Sequence, residues 1–283
     1  MKSGDTPGPF RIRCAEPAGP VVFAAPHAGR QIPEALAEMA RVDERALRSL
    51  EDPLVDRLIE DCAVTVLSGQ TARAFVDVNR DPAELDPLLI EGGDGRSART
   101  RAGLGVIPRL TAAGEPIHRR RLSMAEAQTW LAIGHASYHA ALADLMQAAR
   151  RRHGRAVLVD WHSMPSQAAE AEARRSGRRP DIVLGDLHGR ACDPEITVRV
   201  RAVFEAHGRT VALNRPYAGG YVTQTWARPK EGFHALQVEI DRSLYLDEET
   251  LEPHAGFAPL KAEVERIAEA LIDLAAPRAD AAE

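Results

Sequence analysis

His27 in VVFAAPHAG and His162 in AVLVDWHSMP each follow a short apolar run rich in Val and Ala, and each precedes turn-forming residues. A buried strand reads as such a run, and in open α/β sheets ligands collect beyond the carboxyl ends of the strands. Two imidazoles delivered there, 135 positions apart in the chain, can hold one metal ion. Zinc favours neutral imidazole together with a carboxylate, and a hydrolytic site uses about three protein ligands with a position left for water. Asp52 and Asp56 are candidates for the third ligand. Four residues apart, they share a helix face only if the helix runs through Pro53, and Pro53 makes Asp52 read as a helix-end position that would equally suit capping Val55 and Asp56. Asp160, two residues before His162, points to the same side of its strand and suits an orienting partner for an imidazole.

Two further constellations carry chemistry. In FVDVNRDP, residues 75–82, a strand ends in Asn79-Arg80-Asp81-Pro82, and an arginine at a strand end can grip a carboxylate through two parallel hydrogen bonds. A surface arginine paired with Asp77 or Asp81 is the plainer alternative. In LQVEIDRSLY, residues 236–245, alternation puts Gln237, Glu239 and Asp241 on one face and Leu236, Val238 and Ile240 on the other. A carboxylate on an otherwise apolar strand is costly unless paired or functional. Glu239 is therefore a candidate general base for an activated water, against the alternative of an edge-strand glutamate facing solvent. His118, His135, His153, His188, His207, His234 and His254 read as satisfied polar groups in turns, and His139 on the long helix is left open.

The elements that must position these groups follow from periodicity and punctuation. Strands are expected at 21–25, near 64–68 and 73–78, at 156–160, and near 181–185, 210–213 and 235–240. Helices are expected from about Pro33 and Asp43, over 123–151 with Ser123 and Glu126 as a capping box, from Asp193-Pro194-Glu195, and over 257–275. Residues 82–117 contain six glycines and read as a long loop of the kind that often covers an active site. Residues 1–19 read as a segment wrapping the surface. The alternation of strands and helices indicates an α/β fold with a largely parallel sheet, and the 283 residues read as one domain.

Composition narrows the functional class. A formal charge of −5 argues against a dedicated nucleic-acid binder. The arginine clusters HRRR (118–121), RRRH (150–153) and RRSGRRP (174–180) read as solvated faces, the latter two flanking the His162 segment where they can steer an anionic substrate. Three widely spaced cysteines outside any C-x-x-C pattern suggest a reducing compartment. With no apolar leader and no run of membrane-span length, a cytoplasmic enzyme without membrane partners is expected.

Taken together, PHAGRQIP, EDPLVDRL, FVDVNRDP, GLGVIPR, VDWHSMP, DIVLGDLHG, NRPYAGGYVT and ALQVEIDRSLYLDE resemble, in order and over roughly residues 20 to 246, the N-formylglutamate amidohydrolase (deformylase) family. That family is related to the zinc carboxypeptidases and aspartoacylases. The resemblance implies a three-layer α/β/α fold around a mixed, mostly parallel sheet of the zinc-carboxypeptidase (phosphorylase/hydrolase-like) kind. It implies one Zn2+ per chain, or another divalent ion, and hydrolysis of an amide next to an acidic amino acid. Under it His27, Asp52 and His162 match the metal ligands, Asp52 being preferred to Asp56, and Glu239 matches the general base and proton shuttle. Asn79 and Arg80 match the pair that holds the substrate α-carboxylate, while Gly219, Gly220, Tyr221 and Thr223 match the substrate loop.

Three departures bear on the side-chain pocket rather than the metal centre. Pro53 and Leu54 follow Asp52 where an aromatic is common, Gln224 stands where an arginine often follows the GGY-x-T run, and Ser137-Tyr138-His139 replaces P-Y-H. The implied reaction is conversion of N-formyl-L-glutamate to formate and L-glutamate in amino-acid catabolism, with Arg30 or an arginine of the 101–109 loop helping to stabilise the oxyanion. The alternatives are a hydrolase of another N-acyl amino acid or small peptide, and a non-catalytic metal-binding or regulatory protein. The sequence leaves the oligomeric state open.

Overall fold

Short runs of Val, Ala, Leu and Ile, too apolar to face water on either side, become the strands of a buried sheet. The computed structural model describes residues 8–275. The strands β1 (Phe10–Arg13), β2 (Val21–Ala25), β3 (Thr65–Gly69), β4 (Ala156–Met164), β5 (Ile182–Gly185), β6 (Val211–Leu213) and β7 (Phe233–Asp241) form one sheet in the order β1-β3-β2-β4-β7-β5-β6. β2 and β4 run parallel, as do β4 and β7 and the pair β5 and β6, while β5 meets β7 antiparallel. The sheet is thus mixed and mostly parallel, with helices flanking it.

The helices are α1 (Glu34–Met39), α2 (Glu44–Arg48), α3 (Val55–Ile59), α4 (Ala98–Arg101), α5 (Met124–Leu131), α6 (Ser137–His153), α7 (Ser166–Ser176), α8 (Pro194–Ala206), α9 (Tyr221–Trp226) and α10 (Phe257–Ala275). Among the described residues, no helix is long and apolar enough to cross a membrane. The expected helix over 123–151 is α5 and α6 joined through a π-helical turn, Ala132–Ala136. Its start is the expected capping box: the Ser123 hydroxyl accepts from Glu126 N–H and the Glu126 carboxylate accepts from Ser123 N–H. Helix α8 opens at Asp193-Pro194 as expected, although the Asp193 side chain makes no capping bond.

The chain gathers into two compact units, each drawn from three segments. The first comprises residues 1–12, 25–53 and 67–143, as far as they are described. Its core packs Leu36, Phe75, Ile90, Ile107, Leu122 and Trp130, with the Phe75 and Trp130 rings 4.5 Å apart. The expected strand at 73–78 is absent. Residues 74–79 are buried in succession rather than alternately, in a turn that takes no place in the sheet. Phe75 N–H bonds back to the Ala72 carbonyl, and Asp77 N–H bonds to the Val106 carbonyl in the long glycine-rich segment. That segment, 82–117, is mostly irregular as expected but holds α4, and buries Leu89, Ile90, Val106 and Ile107.

The second unit comprises residues 13–24, 54–66 and 144–283, again as far as described. β4 and β7 pair along their whole lengths, from Ala156 beside Phe233 to Met164 beside Asp241. Trp161 of β4 packs edge-on against Phe23 at 5.2 Å. Helices α8 and α10 pack together, α10 burying Leu260, Val264, Ile267, Ala268 and Leu271 at helical spacing. A two-pronged ion pair from Arg209 to Glu263 adds to this face at 2.6 and 3.0 Å.

Candidate metal and catalytic site

β2 ends at Ala25, and His27 stands two residues on, in a turn. Gly29 lets this turn lie against residues 70–71, where a Cβ would sit 2.4 Å from the Gln70 carbonyl carbon and the Thr71 oxygen. The buried His27 ring is held through Nε2, with Nδ1 turned toward Asp52. Its Nε2–H donates to Asp77 Oδ1 at 2.7 Å, and the proton placed there leaves the lone pair on Nδ1, which lies 3.4 Å from Asp52 Oδ2. The backbone joins the same pair, since Asp52 N–H donates to the His27 carbonyl at 2.9 Å.

Asp52 does not cap the helix that follows. The N-cap of α3 is Leu54, in the left-handed region at φ 64° and without a side-chain capping bond. Pro53 bars a helical conformation at Asp52, which leaves the aspartate outside α3. A left-handed leucine costs about 1–2 kcal/mol.

His162 lies inside β4 rather than at its end, because the strand continues to Met164. Asp160, two residues earlier on the same face, brings Oδ2 to 2.9 Å from His162 Nε2, so a carboxylate fixes this imidazole as well. Glu239 on β7 is paired in register with His162, and strand partners in register present their side chains on the same face. β7 lies between β4 and β5, so Glu239 is on an interior strand and buried, and not on an edge facing solvent. Gln237 Nε2 donates to Glu239 Oε1 at 2.8 Å, and Gln237 Oε1 accepts from Gly220 N–H at 2.6 Å. The amide thereby orients the candidate base and ties down the loop that opens α9. In that loop Gly219 adopts φ 132°, which favours glycine, and Tyr221 and Thr223 lie in α9 with Thr223 fully buried.

One ligand atom each from His27, Asp52 and His162 lie within 4.8 Å of one another, and among the described residues this is the group of His, Cys, Asp and Glu able to hold a metal ion. Asp56 is outside the group, in the first turn of α3. The donor set of two imidazoles and one carboxylate, with both Nε2 atoms committed to carboxylates, fits a divalent metal ion.

The Asn79-Arg80 pair belongs to the turn at 77–80. Asp77 accepts from Asn79 N–H at 2.9 Å, from Arg73 at 2.8 Å and from His27, and Arg80 Nε lies 3.6 Å away. Burial alone would raise this carboxyl, but Arg73, Arg80 and His27 outweigh it and hold Asp77 well below the usual range. Arg73 also donates to the Leu50 carbonyl, two residues from Asp52. Sequence reasoning treated Asp77 only as a partner for Arg80 and did not single out Arg73. Their reach to His27 and Leu50 spans 50 and 23 positions, which no local pattern reveals. Of the proposed oxyanion donors, Arg109 is engaged by Asp86 at 2.8 Å and Arg101 by the Arg96 carbonyl at 2.6 Å, whereas Arg30 is exposed.

Comparison with known proteins identifies the family. N-formylglutamate deformylases of Pseudomonas aeruginosa and Pseudomonas putida are 28% and 29% identical, each over 81% of this chain and 83% and 82% of their own lengths. The crystal structure of an N-formylglutamate amidohydrolase from Ralstonia eutropha superposes with a TM-score of 0.89 at 33% identity, covering 95% of this chain and 99% of that one. A gene product of Agrobacterium tumefaciens shares the fold, with a TM-score of 0.66 at 19% identity over 95% and 96% of the two chains. The sequence model of N-formylglutamate amidohydrolase matches residues 19–246, and the chain belongs to that family.

Proposed function

We propose that the chain hydrolyses N-formyl-L-glutamate to formate and L-glutamate, with one Zn2+ held by His27, Asp52 and His162. The observation that carries this reading is the buried His-Asp-His group, with Glu239 in register beside one of its imidazoles. The names of the relatives supply the substrate. A divalent ion bound there supplies Lewis acidity, polarising the amide carbonyl and lowering the pKa of water. Glu239 takes a proton from the attacking water and returns it to the amine nitrogen as the C–N bond breaks. Gln237 holds the Glu239 carboxylate in orientation for both transfers. Asn79 and Arg80 hold the α-carboxylate, the loop of Gly219, Gly220, Tyr221 and Thr223 lines the substrate side, and Arg30 donates toward the oxyanion.

The family match draws on segments of both units, which supports a single catalytic domain over 1–283. Cys14, Cys62 and Cys192 are free thiols, and burial pushes Cys62 up to about 12 and Cys192 up to about 11. Free thiols, two of them buried, suit a reducing, cytoplasmic setting.

The test measures metal content together with formate release from N-formyl-L-glutamate, before and after chelation. One zinc per chain with chelator-sensitive formate release is expected. Zinc without formate release would discard the substrate and send the enzyme to a panel of other N-acyl amino acids. Absence of any bound metal after reconstitution would overturn the reading.

A further inference from the structure

The π-helical turn Ala132–Ala136 carries His135, and one helical turn later α6 carries His139. Their rings stack at 4.3 Å with 31° between planes. His135 Nε2–H donates to the Arg80 carbonyl at 2.9 Å, and His139 Nε2–H donates to the Val78 carbonyl at 2.8 Å. These two carbonyls bracket Asn79. The turn therefore has its N–H side bound by Asp77, through Asn79 N–H, and its carbonyls at positions 78 and 80 bound by the two imidazoles. Outside the sheet this backbone relies on side chains in addition to the bonds from Asp77 N–H to the Val106 carbonyl and from Arg80 N–H to the Asp77 carbonyl.

Three observations show that this contact is built in. Gly134 lets the helix approach the turn, since a Cβ there would meet Val76 Cβ at 3.1 Å. Burial lowers the His135 pKa, which favours the neutral ring with its single proton toward the carbonyl. Tyr138, fully buried, sets its ring edge-on to His139 at 5.7 Å and limits where that imidazole can swing. A π-helical turn is rare and is found disproportionately at functional sites.

We propose that His135 and His139 are positioning residues for substrate recognition, clamping the Val78–Arg80 turn so that the Arg80 guanidinium meets the substrate α-carboxylate in one fixed pose. The inference rests on Arg80 holding that carboxylate. Neither histidine touches the reacting bond, so their loss acts on binding of the carboxylate and leaves proton transfer at Glu239 alone.

The experiment compares steady-state kinetics of the metal-loaded enzyme on N-formyl-L-glutamate and on its α-amide, which lacks the α-carboxylate. His135→Ala and His139→Ala are each expected to raise KM for the carboxylate substrate about 5- to 10-fold, the scale of one lost buried hydrogen bond. Their kcat should stay within about twofold, as should KM for the α-amide, an effect confined to ground-state binding. His135→Phe and His139→Phe keep a stacked ring without a donor, so they carry the same test if the alanine variants fold poorly. His139→Gln, which keeps an N–H, should restore much of the loss. Equal changes on both substrates, a fall in kcat alone, or no change in any of these variants would overturn the proposal. Arg80→Ala separates the two levels: if it affects both substrates alike, the Arg80 reading fails and the clamp with it. If Arg80→Ala discriminates between the substrates and the histidine variants do not, only the clamp fails.

Discussion

β4 carries His162 on a ladder in which every residue from Ala156 to Met164 has a partner on β7, whereas His27 stands beyond the end of β2 in a turn. On the strand, backbone hydrogen bonds set the ring's position, and a single local carboxylate two residues away sets its orientation. In the turn, the same task takes Asp77 from 50 positions away, Arg73 to hold Asp77, and a backbone bond from Asp52. A ligand on a strand inherits precision from the sheet, while a ligand in a turn needs a side-chain network to supply it. The network is correspondingly easier to break at one point.

The sharpest way to strain this contrast is to remove chemistry from the ladder side without disturbing geometry. Glu239→Gln keeps the strand and the bond from Gln237, and should lower kcat by about 10^2- to 10^4-fold while metal content stays at one per chain. Turnover near wild type would show that the ladder delivers no base. The next comparison is direct. Asp77→Asn should weaken metal binding by about 10- to 100-fold and raise KM as well, because Arg73 and Arg80 lose their shared counter-charge. Asp160→Asn, backed by the ladder, should stay near the low end of that range with KM unchanged. Competition with a chelating dye measures both, and equal losses in the two variants would erase the distinction.

The smallest expected effect is on pH dependence, and each unit supplies a probe. Burial lowers the pKa of His118 in the first unit and of His234 in the second. Between the depressed folded value and the ordinary value of about 6.5, the unfolded chain binds more protons, so stability rises with pH. Their contribution is complete above about pH 6.5 and is lost as pH falls through the folded values. Glu51, pushed up to about 7 by burial, acts with the opposite sign between the ordinary carboxyl value and 7. The measurement is therefore the change in slope of urea stability between pH 7.5 and 5.5. His118→Gln and His234→Gln should each flatten the loss on acidification, and an unchanged slope in both would refute the assignment.

The parts of the site carried by strands were legible in the chain itself. AVLVDWH and LQVEID announce buried strands, and alternation places Asp160 with His162 and Gln237 with Glu239. The turn-borne part was not. FVDVN has the composition of a strand, and only the structure shows six successive buried residues packed against Trp130 and the glycine-rich segment. Helix α7, SQAAEAEARRS, is rich in helix formers and was passed over, whereas the antiparallel placing of β5 escaped a local reading because it depends on a partner remote in sequence. Asp52 was ambiguous for the same reason: whether it caps a helix or faces His27 is decided by where the chain after β2 returns.

The π-helical turn at Ala132–Ala136 has a consequence for how this chain can tolerate insertions and deletions. Such a turn accommodates one residue more than regular α-helix, so deleting a single residue there would leave an unbroken helix with every hydrogen bond intact. Because the wide turn absorbs the extra residue, the deletion would leave both arms of the helix in register, with Trp130 on one side and Leu142 and Met146 on the other still buried. The turn itself carries His135, so the deletion would alter the contact with the Arg80 carbonyl while His139 keeps its place at the Val78 carbonyl. A one-residue deletion in this turn is thus tolerable for the scaffold and removes one of the two imidazole contacts on the Val78–Arg80 turn.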